Sequence, residues 1–336
     1  MLNYLSLKDQ FSAFNQSFEW RFWYVLFAVI TGTYMFFLNP SLIETFGEQL
    51  IREYYVFSRT IFSPQTEYYA ESVLVPLIAF LVGASHHYLF YKIFCSFLVL
   101  LILPTIAYFA ARYFDNAWRS WVFILIFVCT YKYLWRTYYL GHPDPITIIC
   151  LTAMVLQRVP IATFLFALLA TVSHFSMALL GISSFALLLM TAPKGQNLAR
   201  LTFVKYALAG LIVGRLLLEL WFYRFQYHLQ SRVGYAEAHG LTNFLARYNS
   251  DPWGFWLTPG LSFLIVYFLI CAFTLYKRRI IFSFAMLVPL VLAYISLFLT
   301  VDGLRVFVVV ITAAYVFMLR SIVDELFDKP PALRAA

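Results

Sequence analysis

Apolar residues in this chain come in long blocks, and Lys, Arg, Tyr and Trp collect in the short stretches between them. A helix that crosses the hydrocarbon of a bilayer needs about 20 mostly apolar residues. The blocks predict such helices near residues 19–39, 89–111, 117–136, 143–157, 159–172, 174–191, 200–221, 258–276, 280–299 and 303–320, the three between 143 and 191 being short. The fold class expected is all-α: a polytopic integral membrane protein of about ten transmembrane helices, forming one membrane domain over residues 1–336.

Residues 40–88 break the pattern. In "SLIETFGEQLIREYYVF" the apolar Leu42, Phe46, Leu50, Ile51 and Tyr54 recur at helical spacing, with Glu44, Glu48, Arg52 and Glu53 between them. That predicts an amphipathic juxtamembrane helix lying on the membrane surface. The following apolar run, Val73 to Ala84, contains Pro76 and is about 12 residues long, a length more often re-entrant or interfacial than spanning. Residues 40–88 are therefore expected to form a long external region, and residues 222–258 a second one.

Orientation follows from the strongest basic cluster, Lys277, Arg278 and Arg279, which the positive-inside rule assigns to the cytoplasm. Alternation then brings Arg112, Arg119, Arg158, Lys194, Arg200, Arg320, Lys329, Arg334 and both termini to the same side, whereas Lys132, Arg136, Arg224, Arg232 and Arg247 fall near the outer side. The first 19 residues are polar and no small-residue cleavage site follows the first block, so the first span is expected to serve as its own insertion signal.

Composition fits a bilayer rather than water as solvent: 62% hydrophobic residues, 12% charged and a mean hydropathy of +0.78. Aromatics reach 20%, and the amphipathic rings of Tyr and Trp favour the headgroup level. The net charge of +8 reads as a topology signal rather than a nucleic-acid footprint. The four cysteines lie inside apolar blocks without CxxC spacing, which indicates packed small residues and neither disulfides nor zinc.

Under this topology the unusual polar groups gather on the outer face. They are Glu44, Glu67, Glu71, His86, His87, His142 and Asp144 in "GHPDP", His174 in "TVSHFSM", Glu219, and Asp302 and Arg305 in "LTVDGLRVF". Ionisable groups at membrane depth are costly and usually face a partner or a cavity. Each also has a plainer reading. Pro143, Asp144 and Pro145 could start a helix; His174 could bond a backbone carbonyl between helices; Asp302 with Arg305, and Arg215 with Glu219, could be local ion pairs. HExxH, GxSxG, Walker A and GxGxxG patterns do not occur, which argues against zinc hydrolases, familiar lipases and nucleotide-driven pumps. No cofactor is indicated with certainty; a divalent cation held by carboxylates and a substrate phosphate fits the residues.

The first span followed by a long acidic external loop, "EYYAESVLVPLIAFLVGASHHYLFYKIF" as its exit, "GHPDP" heading a later span and the "SHFSM" turn together resemble the GT-C integral membrane glycosyltransferases. The likeness covers roughly residues 19–190. It implies transfer from a polyprenyl-phosphate-linked sugar to a glycan or glycolipid acceptor, on the external face of a bacterial inner membrane. Members commonly carry an Asp near the end of the first span; this sequence has Asn39 there and Glu44 shortly beyond. Such chemistry needs a carboxylate to take or orient the acceptor proton and a cation to hold the leaving phosphate. Glu44 is the first candidate base, with Glu67 and Glu71 as rivals; Arg305 is the first candidate phosphate clamp, with Arg232 and Arg247 as alternatives. Asp144 and His142 would position the acceptor or a metal, and His174 would line the cavity. "VDGLR" is also similar to the Asp and Arg pairs of membrane polysaccharide polymerases, and a lipid-linked glycan flippase is a further alternative. The sequence sets no oligomeric state.

Overall fold

The computed structural model describes residues 19–37, 45–131, 142–193, 197–229, 242, 245–246, 248–257, 259–299 and 303–327. Among these, all regular structure is helical. In chain order the elements are α1 (Glu19–Phe37), α2 (Thr45–Arg59), α3 (Leu74–Leu81), α4 (Tyr88–Phe114), α5 (Ala117–Tyr131), α6 (Asp144–Val155), α7 (Pro160–Ser173), α8 (Phe175–Thr191), α9 (Asn197–Phe225), α10 (Pro252–Leu257), α11 (Leu261–Tyr276), α12 (Ile280–Leu299) and α13 (Gly303–Phe327). Short 3-10 turns stand at Tyr68–Glu71 and Ala84–His86. Each predicted apolar block holds one helix. Four of them, α4, α9, α12 and α13, are long and apolar enough to cross a membrane, and α5, α6, α7, α8 and α11 are shorter apolar helices.

The axis of the molecule is α13. Its residues Val306 to Leu319 are all buried, against α5, α6, α8, α11 and α12. A helix that is apolar all round has no face to give to water, and burial is its stable state. The neighbouring α6 is only 12 residues long, about 18 Å, too short for a hydrocarbon layer of about 30 Å. It does not need to reach across on its own, because all its residues except Ile146 and Ile149 are buried in protein. Arg320 closes its far end by donating to the Val155 carbonyl while lying 4.5 Å from the Tyr113 ring centroid. The outer helices instead expose large apolar side chains: Phe90, Ile93 and Phe97 on α4, Ile212, Leu216 and Leu220 on α9, Phe284, Val288 and Val291 on α12. Continuous apolar surface on several helices suits lipid tails and not water, so the chain is a helical membrane protein.

One helix pair is packed unusually closely. Gly210 and Gly214, four residues apart on α9, face α7. A Cβ at 210 would stand 2.4 Å from the Phe164 carbonyl oxygen and 2.8 Å from Ala167 Cβ, and one at 214 would stand 2.7 Å from Thr171 Cβ. Small residues at this spacing let two backbones approach where dispersion, rather than water exclusion, holds helices together. The approach brings Arg215, next in sequence, to the α7–α8 joint.

Charged and polar contacts collect at two ends of the bundle. At one, Arg21 pairs with Asp115, Arg119 with Asp324 at 3.4 Å and Arg279 with Glu325 at 2.6 Å, and Arg158 reaches the Tyr113 carbonyl. At the other lie α2, both 3-10 turns, α3, the heads of α6, α8 and α13, and the last turns of α9. The amphipathic α2 rests on protein rather than only on lipid: Ile51, Tyr54 and Phe57 are buried, with the Tyr54 ring 5.5 Å from Tyr69 and Tyr55 5.3 Å from Tyr88. The 3-10 turn at Tyr68–Glu71 and the start of α4 supply that surface. With eight residues, about 12 Å, α3 cannot cross a bilayer.

Gly210→Ala is expected to destabilise the protein by about 1–3 kcal/mol, the usual cost of overpacking. Gly32→Ala, whose Cβ would meet nothing closer than Leu103 Cβ at 3.6 Å, is expected to be neutral. Unfolding of both variants in detergent checks this; equal stability would refute the close-packing account.

Candidate functional site

The head of α6 is built on the Pro143 carbonyl. It accepts from the Thr147 amide (3.1 Å) and the Ser173 hydroxyl (3.2 Å), and the Thr147 hydroxyl, 3.1 Å from the same carbonyl and 3.0 Å from Ser173 Oγ, shares its one proton between them. Asp144 is the first residue of the helix, where a carboxylate is favoured by the macrodipole. The plain reading of "GHPDP" as a helix start is therefore correct, and incomplete. Arg305 in the first turn of α13 donates from Nη1 to Asp144 Oδ2 at 2.6 Å, with side chains only 11% and 1% exposed. His142 is buried beside this pair, its ring 5.0 Å from that of Tyr54 on α2. Burial, with the Arg305 charge adding to it, holds its imidazole well below the ordinary 6.5 and so neutral at physiological pH.

A second charged group stands at the same end. Arg215 of α9 donates to Glu71 Oε1 at 3.2 Å from Nη1 and to Glu219 from Nη2, and its guanidinium lies 4.5 Å from the Phe175 ring centroid. The Ser176 hydroxyl is 3.5 Å from Glu71 Oε2. Arg215 is 35% exposed against 11% for Arg305, and Glu71 12% against 1% for Asp144, so the guanidinium of Arg215 is the reachable group of the four. The α7–α8 joint runs between the two: Ser173 holds the Pro143 carbonyl, while Phe175 and Ser176 contact Arg215 and Glu71. His174, buried between them, breaks the helix with its extended backbone while its amide still donates to Ala170. The end of α9 is tied down by Tyr227, which donates to the Ile61 carbonyl at 2.6 Å, and by the His228 amide, which donates to the Gln65 carbonyl at 2.8 Å.

Of the residues expected to form the site, His142, Asp144, His174, Arg305 and Glu71 thus come together at one end. Glu67 opens the 3-10 turn there but its side chain is exposed. His86 and His87 are exposed, and His87 caps α4 by accepting from the Leu89 amide. Glu44, Arg232, Arg247 and Asp302 lie outside the described residues. The expected pairing within Arg215 and Glu219 is present, but Arg215 also binds Glu71, and Arg305 finds Asp144 across the bundle. Sequence reasoning missed Arg215 as a site residue, along with Tyr54 and Ser176. The Gly210 and Gly214 spacing beside Arg215 was the signal that could have flagged it. Among the described residues no three His, Cys, Asp or Glu side chains converge as a metal site.

The chain matches no protein-family model, and neither curated proteins nor solved structures gave a match.

Removing one partner of the Asp144–Arg305 pair is expected to cost about 3–5 kcal/mol, because the other charge stays buried alone. Asp144→Asn with Arg305→Met should cost less than the sum of the single variants in a double-mutant cycle of detergent unfolding; additive losses would deny the contact. Burial of a neutral His142 makes stability depend on pH. The unfolded chain takes up a proton below about pH 6.5 and the folded one does not, so His142 removes stability as pH falls through that range. His142→Gln should flatten the stability loss between about pH 6.5 and 5; an unchanged acid limb would contradict the burial of a neutral imidazole.

Proposed function

We propose that this protein is a membrane glycosyltransferase that moves a sugar from a polyprenyl-phosphate carrier to a glycan or glycolipid acceptor at the bilayer surface. The observation that carries the reading is the Glu71–Arg215 pair, whose arginine is 35% exposed, set beside the more enclosed Asp144–Arg305 pair at the end covered by α2 and α3. A carboxylate and a guanidinium side by side are the two groups the transfer needs. Glu71 accepts the acceptor hydroxyl's proton as that oxygen attacks the anomeric carbon, and Arg215 receives the polyprenyl phosphate that departs with the bonding pair. Arg215 suits this role better than Arg305 because its side chain is 35% exposed against 11%; Arg305, Asp144 and His142 then form the floor that fixes α6 and α13. His174 lines the joint. Glu44 and Glu67 are the alternative bases. A divalent cation bridging Glu71 and the substrate phosphate is compatible with this arrangement.

The topology that goes with this reading has α1, α4 to α9 and α11 to α13 each running between the two polar ends, ten traverses in all. Arg112, Arg119, Arg158, Arg200, Arg278, Arg279 and Arg320 share one end, which the positive-inside rule assigns to the cytoplasm of a bacterial inner membrane. The site is then external, where lipid-linked sugars are used. Transport without chemistry is less well supported. A translocation path wants polar groups through the bilayer midplane, whereas α13 is apolar along its buried length apart from Thr312, bonded to the Val308 carbonyl, and Tyr315, bonded to Thr130.

Glu71→Gln is expected to lower sugar transfer in isolated membranes by roughly 100-fold or more, as loss of a general base does, and Arg215→Ala by a similar factor. Glu219→Gln should leave the rate within a few-fold. Full activity in Glu71→Gln, with loss in Glu67→Gln or Glu44→Gln, would transfer the base role to those residues. A cysteine at position 67 should react with an impermeant maleimide on intact cells and one at position 278 only after lysis; the reverse pattern would overturn the orientation.

A further inference from the structure

At the end opposite the candidate site, α5, α11 and α13 leave a groove of about 550 Å³ whose walls include Ile126, Leu269, Phe273, Leu319 and Ile322. Ala272 makes room for it, being the small residue between Leu269 and Phe273. The walls are apolar; the rim is not. One edge is electrically settled, since Arg279 is paired with Glu325 and Arg119 with Asp324. The other edge is the turn that follows Tyr276. There Lys277 and Arg278 are exposed and have no carboxylate partner among the described residues. The Lys277 ammonium stands 5.5 Å from the Phe273 ring centroid, over a wall of the groove itself. The turn is not slack. The amides of Lys277, Arg278 and Arg279 donate back to the carbonyls of Phe273, Leu275 and Thr274 at 3.0, 2.8 and 3.0 Å, and Arg278 takes a left-handed conformation (φ 58°) to allow it.

We propose that this groove is a binding site for an anionic phospholipid, one acyl chain lying along the apolar walls and the phosphate between Lys277 and Arg278. The walls give a chain its solvent without offering a hydrogen bond, so what distinguishes one lipid from another is the rim. Two uncompensated cations there favour a headgroup with net negative charge over a zwitterionic one, whose own ammonium they would repel. The site is separate from the Glu71–Arg215 pair, and either assignment can fail without the other.

Native mass spectrometry of the full chain, equilibrated in neutral detergent with equal phosphatidylglycerol and phosphatidylcholine of matched chains, tests it. The unmodified protein should retain phosphatidylglycerol roughly tenfold more than phosphatidylcholine. Lys277→Gln with Arg278→Gln should bring the ratio close to one, and Ala272→Phe should reduce retention of both lipids. These positions are exposed, and an unchanged unfolding profile confirms that the variants fold. Equal retention by the unmodified protein, or a preference that survives the double substitution, overturns the proposal. So does displacement of phosphatidylglycerol by equimolar polyprenyl phosphate, which would make the carrier lipid the occupant.

Discussion

In a bundle whose interior is almost wholly apolar, charge is tolerated only where an opposite charge meets it, and the Asp144–Arg305 contact is where the fold answers that constraint most severely. Asp144 is sealed from water and Arg305 nearly so, and each would be costly alone. Their pairing joins the first turn of α6 to the first turn of α13, the helix around which the others pack. Pro143 presents its carbonyl to Thr147 and Ser173 in the same few residues, so the start of α6, the end of α7 and the start of α13 are fixed relative to one another. That fixed platform is what allows α6 to be too short for the bilayer and still hold its place.

The second group depends on the first and on a different force. Arg215 sits where it does because Gly210 and Gly214 let α9 approach α7 to backbone contact. Its guanidinium is then delivered over Phe175, one residue past His174 at the joint the platform fixes. Glu71 comes from the opposite direction, on a turn held under α2 and close to the first turn of α8. The two ion pairs differ in the property that matters for chemistry. One is sealed and serves as architecture; the other keeps a third of the arginine exposed, so an incoming anion can compete for it. A site that must bind a phosphate and then release it is better made from the second kind.

Much of this architecture is legible in the order of the residues alone. The apolar blocks mark where ten of the helices lie, because in lipid both the length and the composition of a span are set by the solvent, although α13 runs on to Phe327, past the end expected at residue 320. The gathering of His142, Asp144, His174, Arg305 and Glu71 at one end also follows from alternation. What the residue order does not supply is partnership. Arg215 has a sufficient partner four residues away in Glu219, so nothing points to Glu71, 144 positions earlier. Arg305 likewise has Asp302 close by, and its bond to Asp144 depends on how α13 is placed against α6. The face of α2 is plainly amphipathic, but a period of 3.6 cannot tell a protein surface from a lipid one.

The central claim is that the Glu71–Arg215 pair, with its exposed arginine, handles a polyprenyl-phosphate sugar. The most direct test is to extract the protein gently from its own membrane and analyse the bound lipid by mass spectrometry, for the unmodified chain and for Arg215→Ala. The account predicts a polyprenyl phosphate or its glycosylated form with the unmodified protein, lost in the variant. Bulk phospholipid alone in both, across several preparations, would contradict it.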